Sequence, residues 1–151
     1  MDCLERPPLD QLRPRILLDC RGVGRPVFDM FRQAGMKRGE AITMTGGRET
    51  TETEFGFSVP KVTLVSRQQA LLHSGDLRIP RALPDASVLT RELQEFRVKY
   101  TDAGNATFNA CEGEHDDLVL ALAIAVFGLS ESTCATFASL REFTHQAFFA
   151  C

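Results

Sequence analysis

The sequence predicts an α/β domain in which helices cover a sheet of short strands. Two observations support this fold class. Short apolar runs alternate along the chain with segments of helical spacing, and no internal repeat, linker or low-complexity tract interrupts the alternation. The chain has 151 residues, of which 44% are hydrophobic and 25% are charged. That length and composition fit one ordinary globular domain with a sizeable core.

The first predicted unit is a strand, a turn and a helix. RILLD (Arg15 to Asp19) is a short apolar strand that ends at an acid, and GVGRPVFDMFRQAG follows it. Pro26 stands where the first turn of a helix tolerates proline, and Gly35 stands where a helix ends. AITMT (Ala41 to Thr45) predicts a second strand. The polar, glycine-containing GGRETTETEFG after it predicts a loop.

The rest of the chain continues the alternation. VPKVTLVSRQQALLHSG has apolar residues at roughly helical spacing, and DLRIP predicts a brief strand. PDASVLTRELQEF predicts an amphipathic helix with Asp85 or Ser87 as its cap, and FRVKY alternates as a strand does. GEHDDLVLALAIAVFGL (Gly113 to Leu129) predicts a buried helix. CATFASLREFTHQAFFA predicts a last helix, for packing or a dimer contact.

Three aspartates stand where this architecture places ligand sites. Asp19 ends a strand directly before the turn RGVGRP, at the edge of an α/β sheet where ligands bind. Asp116 and Asp117 open the buried helix, whose macrodipole offsets negative charge. The simplest interpretation makes one of them the helix cap. The other carboxylate then approaches the interior, and a buried pair of like charges requires a cation.

Mg²⁺ or Mn²⁺ is the cation that suits carboxylate oxygens. The three histidines, His73, His115 and His145, lack a zinc-like spacing, and the five cysteines include no CxxC pair. Acids from a strand end and a helix end that converge on two metal ions catalyse in-line phosphoryl displacement. Spacing alone has low specificity, because many α/β domains contain a strand-end aspartate and a helix-capping aspartate.

Five segments, in one consistent order, resemble a known family. They cover about Arg15 to Phe127 and are LLDCRGVGRPVFDMF, ITMTGG, VPKVTLVSRQQALLHSGDLRI, LPDASVLTRELQEFRVKY and GEHDDLVLALAIA. These segments look like the C-terminal nuclease domain of the large terminase subunit of tailed bacteriophages and prophages. The acid-Gly-x-Gly turn and the His-Asp-Asp helix are the most specific parts. The resemblance implies an RNase H-like mixed sheet flanked by helices, and a metal-dependent hydrolase that cuts concatemeric viral DNA during packaging.

The resemblance also implies roles for the acids. Asp19 corresponds to the family's second acid, and the Asp116/Asp117 pair corresponds to the third. Asp117 is the favoured metal ligand, with Asp116 as its helper or cap. His115 is expected to lie near the site. Gly22 and Gly24 are expected to let the backbone turn sharply beneath Asp19.

Three basic residues are candidates for contact with the phosphates of double-stranded DNA. Lys61 would act as a point charge, and Arg21 and Arg25 as forks. The alternative is that all three are only solvated surface residues. The formal charge of −3 and the pI near 5.6 give no global electrostatic case for nucleic acid.

The resemblance is incomplete at its amino end. The family's first catalytic aspartate lies on the first core strand, and nothing before Arg15 resembles that stretch. We therefore expect an N-terminal extension at 1–14, a partial RNase H-like nuclease domain that lacks the first core strands at 15–129, and a C-terminal helix at 130–151. No GxxxxGK[ST] motif occurs, so packaging ATPase activity is not expected.

Two functions remain open from the sequence. One is a terminase-type DNA endonuclease that is weak or inactive alone. The other is a non-catalytic prophage remnant, or a module of the same fold that binds DNA or protein. Expected partners are DNA, other terminase or portal components, and a second copy through the exposed sheet edge. The odd number of cysteines and the absence of a signal or membrane-length apolar run predict the cytoplasm of a bacterial host.

Overall fold

The chain forms a mixed α/β fold in the part that the structure describes. The structure is a computed structural model, and it describes Pro7, Gln11 and residues 14–100, 106–109 and 116–131. Within them lie a four-stranded mixed sheet, a two-stranded sheet and four helices. In chain order the elements are β1 (Ile16–Asp19), α1 (Gly24–Gln33), β2 (Gly39–Thr45), β3 (Thr51–Thr53), β4 (Gly56–Pro60), α2 (Lys61–Ser74), α3 (Ala86–Glu95), β5 (Arg97–Tyr100), β6 (Ala106–Asn109) and α4 (Asp117–Glu131).

The main sheet has the strand order β1-β2-β4-β3. β1 and β4 both pair with β2 in parallel, with Ile16 opposite Gly39 and Ile42 opposite Phe57. β3 runs antiparallel to β4 and forms one edge of the sheet. Because three strands run in parallel, their carboxyl ends meet at one edge, where ligand sites of α/β sheets lie.

Helices cover both faces of this sheet. α1 packs on one face through Phe28, which is fully buried with Cys20 and Ala41. α2 and α4 pack on the other face, in a core cluster built from both sheet and helix residues: Ile42, Met44, Val59, Leu64, Leu120, Ala123, Ile124 and Phe127. Complete burial of one such aliphatic or aromatic side chain stabilises the fold by about 1.5–3 kcal/mol. This cluster therefore holds α4 against the sheet.

The prediction of a buried helix from the apolar run after Asp117 is confirmed. Most of α4 is buried, namely Val119, Leu120, Leu122, Ala123, Ile124, Val126, Phe127 and Gly128. The exposed residues of this helix are a narrow stripe of Asp117, Ala121 and Ala125, and Ser130 and Glu131 at its end. A Cβ atom added to Gly128 would lie 2.7 Å from the Leu17 side chain, so the absence of a side chain there lets α4 approach β1 closely.

The expected strand DLRIP is wrong. Residues 76–80 form no strand, because the backbone there completes the end of α2 instead. Gly75 has a left-handed φ of 77°, and the Leu77 amide donates a hydrogen bond to the Leu71 carbonyl over 3.0 Å. Leu77 then packs into a second core cluster with Leu89, Val119, Leu122 and Val126. Its apolar character reflects this anchoring contact.

The expected loop between the second strand and the following helix is also wrong in part. Thr51–Thr53 forms β3, which pairs with β4 across a tight turn at Phe55. The helical segment begins only at Lys61, because Val59 and Pro60 belong to β4. The sequence predicted neither this hairpin nor β6, which pairs with β5.

The remaining elements follow the sequence. The first strand, the helix at α1, the second strand and the strand at β5 are confirmed, and α3 begins after Asp85, which makes no side-chain capping bond. Residues 130 and 131 belong to α4, and residues 132–151 lie outside the described part. Most of 1–14 lies outside it too. None of the described helices combines the length and the hydropathy that crossing a membrane requires.

Candidate acidic site at the carboxyl edge of the sheet

Four of the residues selected from the sequence lie at the carboxyl edge of the parallel strands. Asp19 is the last residue of β1, and Arg21 follows it in the turn to α1. Lys61 opens α2 directly after β4. Asp116 immediately precedes α4, whose first turn packs over the same end of the sheet. The fold thus brings together residues that are almost 100 positions apart in the chain.

Asp19 is bound by Arg21 through both backbone and side chain. The Arg21 amide donates to Asp19 Oδ1 over 3.0 Å, its Nε lies 3.2 and 3.1 Å from Oδ1 and Oδ2, and its Nη2 lies 2.8 Å from Oδ2. Both side chains are more than a third exposed, which weakens the pair through solvent screening. The forked geometry fixes the orientation of the carboxylate more than it stabilises the fold.

The turn beneath Asp19 depends on two glycines. Gly22 has a φ of 52°, in the left-handed region that glycine adopts without strain. A Cβ atom on Gly24 would collide with the carbonyl oxygen of Asp19. Both glycines therefore have the conformational role that the sequence predicts for them, and α1 can start close against the end of β1.

Asp116 forms the more protected ion pair of the site. Its Oδ2 accepts a hydrogen bond from Lys61 Nζ over 3.1 Å, and the two side chains are only 24% and 16% exposed. Lys61 Nζ also lies 5.6 Å from the centre of the Phe96 ring. Restricted solvent makes such a pair stronger than a surface ion pair.

Acids of both ion pairs act on the pKa of Arg21. The hydrogen bond to Asp19 and the charges of Asp19 and Asp116 raise the pKa of Arg21 above its ordinary value, against a smaller lowering by burial. The contribution of Asp116 is the smallest of these effects on Arg21. Two carboxylates and two basic side chains, in two ion pairs, lie at this end of the sheet.

The two adjacent aspartates point in different directions. Asp117 is exposed and lies on the same face of α4 as Ala121 and Ala125, which are also exposed. Asp116 is half-buried, and its carbonyl accepts the first helical hydrogen bond, from Leu120, over 2.9 Å. The geometry therefore presents Asp116 to the site, whereas the sequence favours Asp117 as the metal ligand.

The side chain that caps α4 is Glu92, which sequence reasoning missed. Glu92 lies on α3, is 6% exposed, and accepts hydrogen bonds from the amides of Leu118 and Val119 over 2.9 and 3.2 Å. It satisfies two of the free amides at the start of the helix and places negative charge at the positive end of the macrodipole. The only sequence signal was an acid at an inward position of α3.

Two other residues selected from the sequence are not in this group. Arg25 pairs with Asp29 at 3.4 Å and lies over the rings of Phe28 and Phe55, on the face of the sheet that α1 covers. It is therefore directed away from Asp116 and Lys61. His115 lies outside the described residues.

The donors of the site suit a divalent metal ion in kind. Carboxylate oxygens are the preferred ligands of Mg²⁺ and Mn²⁺, and Asp19 and Asp116 supply them at one edge. Among the described residues, however, no group of three or more His, Cys, Asp and Glu side chains is close enough to hold an ion. The described part thus offers two carboxylates at this edge, and each is paired with a basic side chain.

Comparison with protein-family models, with curated proteins and with solved structures finds no match for this chain.

Proposed function

We propose that this chain is an RNase H-like, divalent-metal-dependent DNA endonuclease domain of the phage terminase type, weak or inactive by itself. The observation that carries the proposal is the position of Asp19 and Asp116 at the carboxyl edge of the sheet, where each forms an ion pair with a basic side chain. Two acids from separate elements at this edge are a common basis for phosphodiester hydrolysis. The parallel β1-α1-β2 unit and the helix α4 support the fold assignment, and the sequence resemblance supplies the family.

Asp19 and Asp116 are the residues that would hold the ion, with Asp117 as an adjacent acid on the same turn. A bound Mg²⁺ or Mn²⁺ would supply Lewis-acid stabilisation of a leaving 3′ oxygen and a more acidic water. Arg21 and Lys61 neutralise the carboxylates in the described arrangement. The phosphates of DNA bound at this edge would compete with the carboxylates for Arg21 and Lys61. If both basic side chains paired with DNA phosphates instead, the oxygens of Asp19 and Asp116 would be released. Substrate binding and opening of the acidic site are then coupled.

One observation favours a second function. Each site carboxylate already has a basic partner, and among the described residues no three acidic, histidine or cysteine side chains are close enough together to hold an ion. A site in which all charges are paired needs no metal to be stable. A non-catalytic module that binds DNA or another protein through Arg21 and Lys61 is therefore the alternative.

Cleavage of supercoiled plasmid in Mn²⁺ or Mg²⁺ distinguishes the two functions. The endonuclease predicts nicking that is lost in Asp19→Asn and Asp116→Asn, because both lose a charged metal ligand. Asp85→Asn is the matched control, since Asp85 is exposed and its side chain makes no capping bond at the start of α3. Calorimetric titration with Mn²⁺ should show binding that the two site variants lack and the control retains.

The opposite results are equally informative. Salt-dependent DNA binding that weakens in Lys61→Ala, without cleavage at any metal concentration, would establish the non-catalytic module. Absence of both cleavage and DNA binding would refute both functions.

A further inference from the structure

The outer edge of β1 is an open strand edge in the part of the chain that the structure describes. There β1 pairs only with β2, and the amides of Ile16 and Cys20 donate toward that strand, to the carbonyls of Arg38 and Ile42 over 3.1 and 2.8 Å. Backbone groups of successive strand residues point to opposite sides, so the amides of Leu17 and Asp19 point away from β2. An open edge of this kind is a template for another strand.

A stripe of exposed apolar residues runs along α1. Val23, Val27 and Met30 are 82%, 41% and 67% exposed, and their spacing of four and three residues places them on one side of the helix. Single exposed apolar residues are ordinary, but a continuous row along one helix indicates a contact surface.

The stripe and the open edge lie on the same side of the molecule. Phe28 points from α1 into the sheet, while Arg32 lies over the Phe55 ring at 3.9 Å. Phe55 is in the turn between β3 and β4, at the far edge from β1. Residues of a helix are about 100° apart, so Val27 and Met30 lie on the other side of Phe28 from Arg32, toward β1.

We propose that a second copy of this chain pairs with β1 in antiparallel orientation, with Leu17 opposite Leu17 of the second copy. The two sheets then form one continuous sheet across a two-fold axis. Paired strands are about 4.8 Å apart, so the two β1 strands lie at that distance across the axis. Because α1 lies over β1 and β2, each α1 helix is only slightly farther from the axis than β1, and the two helices come within about 10 Å of each other. That distance is close to the 8–10 Å at which helices pack, and the apolar stripes meet.

Charge complementarity supports this register. Arg15 and Asp19 are each two residues from Leu17, on either side of it. In this register Arg15 lies opposite Asp19 of the second copy, and the two-fold axis creates this pair twice. Arg15 donates to the Gly128 carbonyl over 3.1 Å, on the face of the sheet that α4 covers. The alternation of a strand directs Asp19 to that same face. The Arg15 guanidinium has five donors, so it can keep its bond to Glu40 as well.

This assembly requires neither metal nor DNA, so it can be tested apart from the proposed nuclease, although Asp19, which Arg21 binds within the chain, takes part in both proposals. Sedimentation of the full chain over a wide concentration range tests it. We expect a monomer-dimer equilibrium, weakened about 100-fold by Val27→Glu or Met30→Glu, since each places two charges in the apolar contact. Val88→Glu is the matched control, because Val88 on α3 is also 41% exposed and lies outside the stripe.

Hydrogen exchange tests the strand pairing directly. The amides of Leu17 and Asp19 should gain protection as the dimer forms, and lose it in Val27→Glu. Circular dichroism establishes that each variant is folded. A monomer at every concentration, a dimer that Val27→Glu and Met30→Glu leave unchanged, or a dimer without protection at β1 would overturn the proposal.

Discussion

Glu92 should make a large contribution to stability, although it is neither an apolar residue nor a member of the acidic site. Its carboxylate is almost fully buried and accepts hydrogen bonds from two amides at the start of α4. Glu92→Ala leaves both amides without this acceptor. The amide of Val119 lies in the buried part of the helix, where water cannot replace the acceptor.

The magnitude follows from those two bonds. A buried donor without its acceptor costs about 1–3 kcal/mol, and the loss of charge at a helix start costs about 0.3–1 kcal/mol more. We expect Glu92→Ala to lower the free energy of unfolding by about 3 kcal/mol. Glu92→Gln keeps an oxygen acceptor and loses only the charge, so we expect a loss of about 1 kcal/mol.

Urea unfolding followed by circular dichroism measures both losses. Glu131→Ala is the control, because Glu131 makes an exposed ion pair with Arg67, 3.0 Å long, and such pairs contribute about 0–1 kcal/mol. A cost of Glu92→Ala no larger than that of Glu131→Ala, with an unchanged urea dependence, would show that Glu92 does not cap α4. Equal effects of Glu92→Gln and Glu92→Ala would contradict the role of its oxygen as an acceptor.

Three further outcomes are expected. Gly24→Ala should destabilise the fold by on the order of 1–3 kcal/mol, because the new methyl group meets the carbonyl oxygen at the end of β1. Gly46→Ala is the control and should change thermal unfolding little, because the space around Gly46 is open. Equal effects of the two substitutions would contradict this. Lys61→Met should lower stability by about 1–2 kcal/mol in chemical unfolding, since it leaves the half-buried Asp116 unpaired, and a neutral effect would show that the pair contributes nothing. Burial raises the pKa of the buried Cys20 thiol, so less thiolate is present at a given pH. Alkylation of Cys20, followed by mass spectrometry, should therefore be slow at neutral pH and should accelerate only at a more alkaline pH than for a free thiol. Alkylation as fast as that of glutathione would contradict this.

Elements with a strong local pattern were predicted from the sequence. The apolar run after Asp117 gave a buried helix, and the sequence around Pro26 and Gly35 gave a helix with its correct start and end. The strand at residues 76–80 and the loop before β4 were wrong, because both depend on distant partners. Leu77 is apolar because it packs on α3 and α4, and Thr51–Thr53 is a strand only because β4 lies beside it.

The sequence by itself determined the α/β layering and the position of an acid at the end of the first strand. Both follow from the period of apolar residues and from residue type, which are local properties. The tertiary structure decided the different surroundings of the two adjacent aspartates, because the packing of α4 brings Asp116 to Lys61 and leaves Asp117 on the exposed face with Ala121 and Ala125. It also decided that Glu92, 25 residues upstream of Asp117, caps the helix. Such contacts depend on how helices pack against the sheet, and no local pattern contains that information.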